Sequence, residues 1–395
     1  MRILVLNSGS SSLKFQLFSM PHGTILCSGL IERIGFEDAI FKFKSQNEAI
    51  EFKTPILDHK TGLKLLAKQL LDKTTGVLKS PDDLSVVGHR VVHGGKHFSK
   101  TTEITKPVKE KIKALFRLAP LHNPANLEGI EVAEDIFPNA KQVAVFDTAF
   151  HQTIPEYAYK YAIPNEFLDQ YNIRLYGFHG TSHKYVSEKA IEFLGKKASK
   201  IITIHLGNGC SMTAVKNGKS IDHSLGFSPI GGLIMGTRCG DIDPSIIFYF
   251  NERLGYSIPD INSILLKKSG MLGLTGFSDL RDIQQQALQG NKACQLALQM
   301  NAYRIKKYIG SYATILNGLD AIVFTAGIGE NSAVMRQLVC EELDILGIQL
   351  DNTKNKMKLK GIRAINRDDS KVKILVVPTN EELEIAKQAM SLFKN

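Results

Sequence analysis

The chain has 395 residues, of which 43% are hydrophobic and 22% are charged. At roughly 100–200 residues per domain, this length predicts two or three domains with enough sequence to bury a sizeable core. The composition, which includes 32 glycines, is that of an ordinary soluble globular enzyme and excludes disordered, fibrous and small disulfide-stapled classes of protein.

The sequence shows no membrane or secretory segment. Its apolar runs fall short of the roughly 18–20 residues that a membrane-spanning helix needs, and the run after Arg2 is too short for a secretory signal. The five cysteines are odd in number and never in C-x-x-C spacing. We therefore expect a cytoplasmic protein with reduced thiols and no membrane partner, rather than a disulfide framework or a zinc site.

The net charge is +10, from 49 basic and 39 acidic residues, which would allow a nucleic-acid or acidic partner. Part of the excess lies in residues 354–367, where lysines and arginines alternate with apolar residues. No aromatic residues interleave there to stack on bases. We interpret this stretch as a strand or helix with a solvated face and expect no nucleic-acid partner.

Two segments 200 positions apart share one pattern. Residues 3–15 and 202–215 each run from an apolar strand through a Gly-containing turn into a second, alternating strand. Leu6 matches Leu206, Gly9 matches Gly209, and Ser11 matches Ser211. Chance similarity of two hairpins is the alternative, but a duplicated chain of this length would place its repeat here, so we predict two halves of similar topology.

Between and after these hairpins, strand and helix patterns alternate in chain order. In the first half and the region that follows it, apolar periodicity predicts strands at 84–88 and 142–147 and helices at 124–136 and 183–194. In the second half it predicts a long helix at 294–316, strands at 320–325 and 372–377, and a C-terminal helix that Asn380 caps. The fold class is therefore α/β.

Three turns rich in small residues follow predicted strands, at 7–14, 206–211 and 325–332. Small residues let backbone N–H groups approach phosphate oxygens closely. Each turn alone is also typical of an ordinary hairpin, but three together favour a nucleotide site. Residues 217–220 lack the glycine spacing of a Walker loop, and none of these turns completes a dinucleotide fingerprint.

Basic side chains beside glycines are the other candidates for chemistry. His89, His93 and His97 recur every four residues, but the β-branched context favours a strand over a helical metal site. Arg90 in this strand can hold a carboxylate or phosphate bidentately, or form a structural salt bridge; both remain open. Residues 177–183 place a histidine between glycines, with Ser182 as the cap of the next helix, and residues 235–244 place an arginine in a glycine-flanked acidic loop.

These segments together resemble the acetokinase family, within the superfamily that shares a duplicated fold with sugar kinases, heat-shock chaperones and actin. The motifs stand in the family's order over nearly the whole chain, at 7–14, 89–95, 119–124, 146–151, 177–183, 205–209, 236–244 and 327–331. The resemblance implies two duplicated actin/ribonuclease-H-like domains, each a mixed sheet flanked by helices, around an interdomain cleft. They are an N-terminal domain at 1–149, with a C-terminal helix at 382–395 packing back on it, and a nucleotide-binding domain at 150–381.

The resemblance also implies an activity and its residues: reversible transfer of the ATP γ-phosphoryl group to acetate, giving acetyl phosphate and ADP. By similarity, the catalytic residues are Asp147, His179 and Arg238. Arg90 binds the acetate carboxylate, and Val92, Leu121, Phe178 and Pro229 line its methyl pocket. ATP contacts Lys14, His205, Leu206, Gly207, Asn208, Gly209, Asp279, Leu280, Arg281, Gly327, Ile328, Gly329, Glu330 and Asn331. Mg²⁺, for which Mn²⁺ can substitute, binds at Asn7 and Glu381.

The chemistry of acetate agrees with these residue types. A short carboxylic acid is ionised at pH 7, so no base is needed, and cations must bring two anions together. We therefore hypothesise that Asp147 mainly orients an arginine or histidine. The family further implies a homodimer and a place in acetyl-CoA biosynthesis. A propionate kinase is the nearest alternative, and an ATP-gated chaperone or filament protein is the alternative from another class.

Overall fold

The computed structural model describes residues 1–9, 11–46, 48–120 and 122–393. The chain divides into two compact units. Unit 1 comprises Met1–Phe150 and Asn380–Asn395, and unit 2 comprises His151–Thr379. Among the helices described, none is both long and apolar enough to cross a bilayer.

Within the described part of unit 1, eight strands form one mixed sheet in the order β5-β4-β3-β2-β1-β6-β8-β7. The strands are β1 (Arg2–Ser8), β2 (Ser12–Ser19), β3 (Thr24–Glu32), β4 (Phe36–Ser45), β5 (Ala49–Ile56), β6 (Val86–Val91), β7 (Thr102–Glu103) and β8 (Lys141–Phe146). The helices are α1 (His59–Leu70), α2 (Lys106–Ala114), α3 (Asn123–Ile136) and the C-terminal helix (Glu381–Ser391).

Helices cover both faces of the central strands of unit 1. Leu63 and Leu66 of α1 and Ala133 of α3 belong to one apolar cluster with Leu4 and Phe15. The C-terminal helix belongs to a second cluster, in which it meets β1, β6 and β8. Strands that are buried on both faces are apolar almost throughout rather than alternating, which is why residues 3–6 form an unbroken apolar run.

One glycine is required by this packing. A Cβ atom at Gly88 of β6 would lie 2.9 Å from Cγ2 of Ile385 in the C-terminal helix. A larger residue would force the helix away from the sheet. The helix begins where Asn380 accepts a hydrogen bond from the Leu383 N–H, which confirms the predicted cap.

Unit 2 repeats this arrangement with a six-stranded sheet in its described residues, in the order β11-β10-β9-β12-β14-β13. The strands are β9 (Lys200–Leu206), β10 (Cys210–Lys216), β11 (Lys219–His223), β12 (Ala321–Thr325), β13 (Arg363–Ala364) and β14 (Lys373–Val376). The helices are α4 (Glu156–Tyr159), α5 (Glu166–Tyr171), α6 (Gly180–Leu194), α7 (Ser245–Glu252), α8 (Ile258–Lys267), α9 (Gly270–Thr275), α10 (Leu280–Leu288), α11 (Lys292–Leu316), α12 (Ala326–Asn331), α13 (Ala333–Cys340) and α14 (Asn352–Lys356).

The two sheets share one topology, which confirms the predicted duplication and the fold class. In each, an antiparallel three-stranded meander lies beside two parallel strands, and a short antiparallel strand completes the edge. The strand sequence β3-β2-β1-β6-β8-β7 thus corresponds to β11-β10-β9-β12-β14-β13. Unit 1 adds the hairpin partners β4 and β5.

The other local predictions are borne out to within a few residues. The predicted helices at 124–136, 183–194 and 294–316 are α3, α6 and α11. The basic stretch at 354–367 contains the end of α14 and the short strand β13, and the five cysteines are free thiols.

Candidate active site

In unit 1, polar side chains gather where the parallel strands end. Asn7 is near the end of β1, Arg90 is near the end of β6, and Asp147 directly follows β8. Because β1, β6 and β8 are parallel, their carboxyl ends meet at one edge of the sheet, where α/β proteins place their ligands. Glu381, the first residue of the C-terminal helix, reaches the same group.

Arg90 is the centre of this group. Its Nε donates to Oδ2 of Asp147 at 2.9 Å, and its Nη2 donates to the same oxygen. Nη1 donates to Oδ1 of Asn7 at 3.2 Å, and Nε lies 3.9 Å from Oε2 of Glu381. The Asp147 side chain is 1% exposed and that of Arg90 is 20% exposed. The buried carboxylate of Asp147 therefore orients the guanidinium, which remains partly accessible to a ligand.

The charges of this group do not balance. Asp147, Glu381 and Glu382 are acidic, whereas Arg90 and Lys14 are basic. Burial opposes the charge of Arg90, but the neighbouring carboxylates outweigh burial and raise its pKa. Burial also raises the pKa of Glu381, to about 7. The negative charges of Asp147 and Glu382 add to this rise, whereas the positive charges of Arg90 and Lys14 oppose it. The acidic side chains of this group therefore outnumber the basic ones.

Two buried histidines fix the backbone of Phe178 in unit 2. The Phe178 N–H donates to Nε2 of His223 at 3.1 Å, and its carbonyl oxygen hydrogen-bonds Nε2 of His151 at 3.0 Å. The next residue, His179, has a φ of 54° and begins α6 as its N-cap. This left-handed conformation is uncommon outside glycine and is held here by the fixed residue before it.

The interpretation of Ser182 as the helix cap is wrong. A helix capped by Ser182 would begin at His183. The observed helix begins at Gly180, about one turn earlier, because His179 takes the left-handed conformation and is the N-cap. Ser182 lies in the first turn, and its Oγ hydrogen-bonds Nδ1 of His205 at 2.9 Å. The ring of His205 in turn stacks on that of His179, with centroids 4.5 Å apart and planes 16° apart.

Arg238 and His179 flank one glycine. A Cβ atom at Gly209 would lie 3.4 Å from Nε2 of His179 and 3.9 Å from Nη1 of Arg238. Nη1 donates to the carbonyl oxygen of Pro229 at 3.0 Å, and burial lowers the pKa of Arg238. No carboxylate in the described part of the chain forms an ion pair with this guanidinium, so its charge is available to an anion.

A cavity of about 670 Å³ lies beside these residues in unit 2. It opens at the carboxyl ends of the parallel strands β9 and β12, as expected for a ligand site in an α/β sheet. Its lining includes the predicted ATP contacts Gly207, Asn208, Asp279, Leu280, Arg281, Gly327, Ile328 and Asn331. The volume suits a nucleotide-sized ligand.

Sequence reasoning missed other parts of this lining. Apolar contributions come from Ile234 and Met271, and polar ones from Gln284 and Asn301. Ile234 directly precedes the segment at 235–244, so its position was a usable signal. Asn301 lies inside the long helix α11 and carries no local signal.

The remaining predicted ATP residues lie outside that lining. Leu206, Gly209 and Gly329 are next to lining residues in sequence, and His205 is two residues from Gly207. Lys14 is in unit 1, where its Nζ pairs with Oε1 of Glu382 at 2.6 Å. Oε1 of Glu330 accepts a hydrogen bond from the Thr379 N–H. Arg281 is exposed and pairs with Asp279, and this hydrogen bonding lowers the pKa of Asp279 to about 2.

The predicted methyl-pocket residues are divided between the units. Val92 follows β6 in unit 1, and its N–H donates to Oδ1 of Asn126 at 3.0 Å. Phe178, which is 3% exposed, and Pro229 are in unit 2. Leu121 lies outside the described residues.

Comparison with known proteins gives full-length matches. The acetokinase family model matches residues 2–387. An acetate kinase of Flavobacterium johnsoniae is 64% identical over 100% of both chains, and one of Thermotoga maritima is 52% identical over 99% of this chain and 98% of its own.

Solved structures agree with these sequence matches. The crystal structure of Porphyromonas gingivalis acetate kinase has a TM-score of 0.95 at 44% identity, with 100% of both chains covered. A propionate kinase from Francisella tularensis has a TM-score of 0.92 at 45% identity, with 99% of both chains covered.

The carboxyl of Asp222, next to His223 in β11, makes the free energy of unfolding depend on pH. Burial raises the pKa of Asp222 from 3.8 to about 6, although the backbone N–H of His223 donates a hydrogen bond to its Oδ1. The folded state therefore binds more protons than the unfolded state between pH 4 and pH 6, and this contribution to stability is lost as the pH rises through that window.

We predict that Asp222→Asn removes this dependence. The difference in unfolding free energy between wild type and variant should fall by on the order of 2 kcal/mol as the pH rises from about 4 to about 6, and then level off. Urea unfolding at several pH values measures it. Asp344→Asn, which alters an exposed carboxyl, serves as the control; a pH-independent difference for Asp222→Asn contradicts the assignment.

Proposed function

The chain belongs to the acetokinase family, and on that basis we propose that it transfers the γ-phosphoryl group of ATP reversibly to acetate, giving acetyl phosphate and ADP by direct in-line attack. The enzyme class is ATP:acetate phosphotransferase, with a carboxyl group as acceptor. The observation that carries the proposal is the sequence match to acetate kinases, at 64% and 52% identity, over nearly the whole length of the chain. The partly exposed guanidinium of Arg90 is a suitable group to bind the carboxylate of acetate.

The difficulty of this reaction is electrostatic. Acetate is already ionised at pH 7, and it must approach an anionic γ-phosphoryl group whose loose transition state spreads charge over three oxygens. In our proposal Arg90 holds the acetate carboxylate, and Arg238 and His179 stabilise the transferring group. An arginine in such a role supplies on the order of 10³–10⁵ in rate.

Asp147 acts in this proposal as a positioning residue. Two nitrogens of Arg90 donate to the same oxygen of Asp147, which is almost fully buried. That geometry supports the hypothesis that Asp147 orients an arginine. Since the acetate nucleophile needs no base, the scheme requires no proton transfer from this carboxyl.

ATP is proposed to occupy the cavity of unit 2, with the turns at 207–209 and 327–329 supplying backbone N–H groups to its phosphates. Small residues suit this contact because they let the backbone approach closely. The apolar side chains of Ile234, Met235 and Met271 offer a surface to the base. Lys14 is proposed as a further phosphate contact.

Asn7 and Glu381 fit a Mg²⁺ site. Proteins commonly hold Mg²⁺ through one or two oxygen ligands and leave its other positions to waters and substrate phosphates. Burial is the largest cause of the raised pKa of Glu381, and the negative charges of Asp147 and Glu382 add to it. A divalent cation would offset the repulsion from these two carboxylates. One lone pair of the Asn7 amide oxygen remains after its bond with Arg90. When bound, Mg²⁺ or Mn²⁺ would neutralise charge on the β- and γ-phosphates.

Propionate is the second candidate substrate, because a propionate kinase is among the structures that match the whole chain. Val92, Leu121, Phe178 and Pro229 are proposed to line the acyl pocket. An added methylene is worth only about 1–3 kcal/mol in such a pocket, so some activity on both acids is expected.

Trapping of the acyl phosphate with hydroxylamine tests the function. With ATP and Mg²⁺, kcat/KM for acetate should exceed that for propionate by about 10-fold or more. The value of kcat/KM for butyrate should be lower than that for propionate. Equal or better turnover of propionate would overturn the acetate assignment, and steady ATP hydrolysis that is unaffected by any carboxylate would favour the chaperone or filament class instead.

We predict that Asp147→Asn lowers kcat by about 10²–10³, because Arg90 loses the charged partner that orients it. The pH–rate profile should keep the same titrations as the wild type. Arg90→Lys is the matched variant: it keeps the charge and loses the paired donors, and should raise KM for acetate while leaving KM for ATP unchanged. Loss of a titration in Asp147→Asn would instead support proton transfer.

A cytoplasmic location and a homodimer complete the proposal. Helix α7 is largely apolar, yet none of its residues is buried. Phe248 and Tyr249 are 62% and 58% exposed, and Leu254, Tyr256 and Ile258 continue the exposed apolar surface. Exposed apolar side chains grouped in one segment are typical of a protein interface, and we propose residues 248–258 as the face that a second copy covers.

The double substitution Phe248→Asp/Tyr249→Asp tests this face. Two charges there should be incompatible with burial, so sedimentation should show a dimer for the wild type and a monomer for the variant. Ile345→Asp, at an exposed apolar residue elsewhere in unit 2, should remain dimeric. A wild-type monomer, or a double variant that stays dimeric, would contradict the proposed face.

A further inference from the structure

Four side chains form a continuous hydrogen-bonded series behind the His179 ring. Oγ1 of Thr203 lies 2.7 Å from Nδ1 of His183, and Nε2 of His183 lies 2.7 Å from Oγ of Ser211. The same Ser211 oxygen lies 2.9 Å from Nδ1 of His179. We call Thr203, His183, Ser211 and His179 the hydroxyl–imidazole chain.

The inner ring of this chain is neutral. His183 is fully buried, and burial together with the nearby histidines holds its pKa well below the usual value. A neutral imidazole has one N–H and one acceptor nitrogen. The hydroxyl of Ser211 has one hydrogen, so it donates to one of its two imidazole partners and accepts from the other. The hydrogen bonds of the hydroxyl–imidazole chain can therefore be donated in only two directions, either from Thr203 towards His179 or from His179 towards Thr203.

The buried Thr203 hydroxyl distinguishes the two directions. It is 0% exposed, and in the part of the chain that the structure describes its hydrogen-bond partner is His183 alone. If His183 donated to it, the threonine hydrogen would be buried without an acceptor, which is costly. If Thr203 donates to Nδ1, then His183 donates from Nε2 to Ser211, and Ser211 donates to Nδ1 of His179. Both hydroxyl hydrogens and the N–H of His183 then have an acceptor.

We propose that Thr203, His183 and Ser211 are positioning residues that hold neutral His179 as its Nε2–H tautomer, so that Nε2 presents a donor to the transferring phosphoryl group. The assignment of that group rests on the proposed function. Nε2 of His179 and Nη1 of Arg238 lie on the same side of Gly209, which has no side chain to separate them from a ligand. The opposite tautomer would present a lone pair to an anion and repel it.

Nitrogen NMR of the ¹⁵N-histidine-labelled full chain tests the tautomer without any assay of activity. The His179 signal is identified by its loss in His179→Gln. In the wild type, Nδ1 should resonate as an unprotonated nitrogen and Nε2 as a protonated one. A proton on Nδ1 overturns the proposal.

Thr203→Val and Thr203→Ser form a matched pair. The valine keeps the shape of threonine but removes the hydroxyl, so both His179 tautomers should be populated. The serine keeps the hydroxyl and loses a methyl group, so a single tautomer should remain. If Thr203 acted through packing alone, Thr203→Ser would change the spectrum more than Thr203→Val. An unchanged spectrum in Thr203→Val overturns the proposal.

Kinetics then connect the tautomer with the reaction. Ser211→Ala should lower kcat by about 10- to 100-fold, because the donor is needed in the transition state, with KM for acetate and ATP within about twofold of wild type. Thr203→Val should lower kcat by less. An unchanged kcat in Ser211→Ala overturns the proposal, whereas a wild type that has the Nε2–H tautomer but forms no acetyl phosphate refutes only the proposed function.

Discussion

The buried ion pair of Arg90 and Asp147 is the constraint on which the site in unit 1 depends. Taking both charges out of water is expensive, and only a fixed geometry with further hydrogen bonds repays that cost. The sheet provides this geometry. Arg90 of β6 is in register with Val145 of β8, so Asp147, two residues later, projects from the same side of the sheet. Asn7 reaches the guanidinium from the neighbouring strand.

The duplication of the sheet topology was the most predictable part of the fold. Two Gly-containing hairpins 200 positions apart were enough to predict the duplication, because the pattern of apolar strand, small-residue turn and alternating strand is local. The start of α6 was less predictable. It depends on the left-handed conformation of His179. The hydrogen bonds of Phe178 with His151 and His223 support that conformation.

The candidate sites were predictable where small residues follow a predicted strand or where a basic residue stands beside glycine. The turns at 207–209 and 327–329 were found in the first way, and Arg90 and Arg238 in the second. Met271 and Asn301 were missed because each comes from a helix whose local pattern is that of an ordinary core. The hydroxyl–imidazole chain was equally invisible, since its members come from a helix and two strands and meet only in the folded unit.

The discontinuity of unit 1 has a consequence for synthesis. Its sheet is complete by residue 146, but the helix that covers Ile3, Val5, Val86 and Val143 belongs to a segment that begins at Asn380. At roughly 5–20 residues per second, the ribosome needs on the order of 10–50 s to translate the intervening sequence. During that interval the nascent sheet lacks the helix that covers its apolar face in the folded unit. Transiently exposed apolar surface of this kind is prone to aggregation.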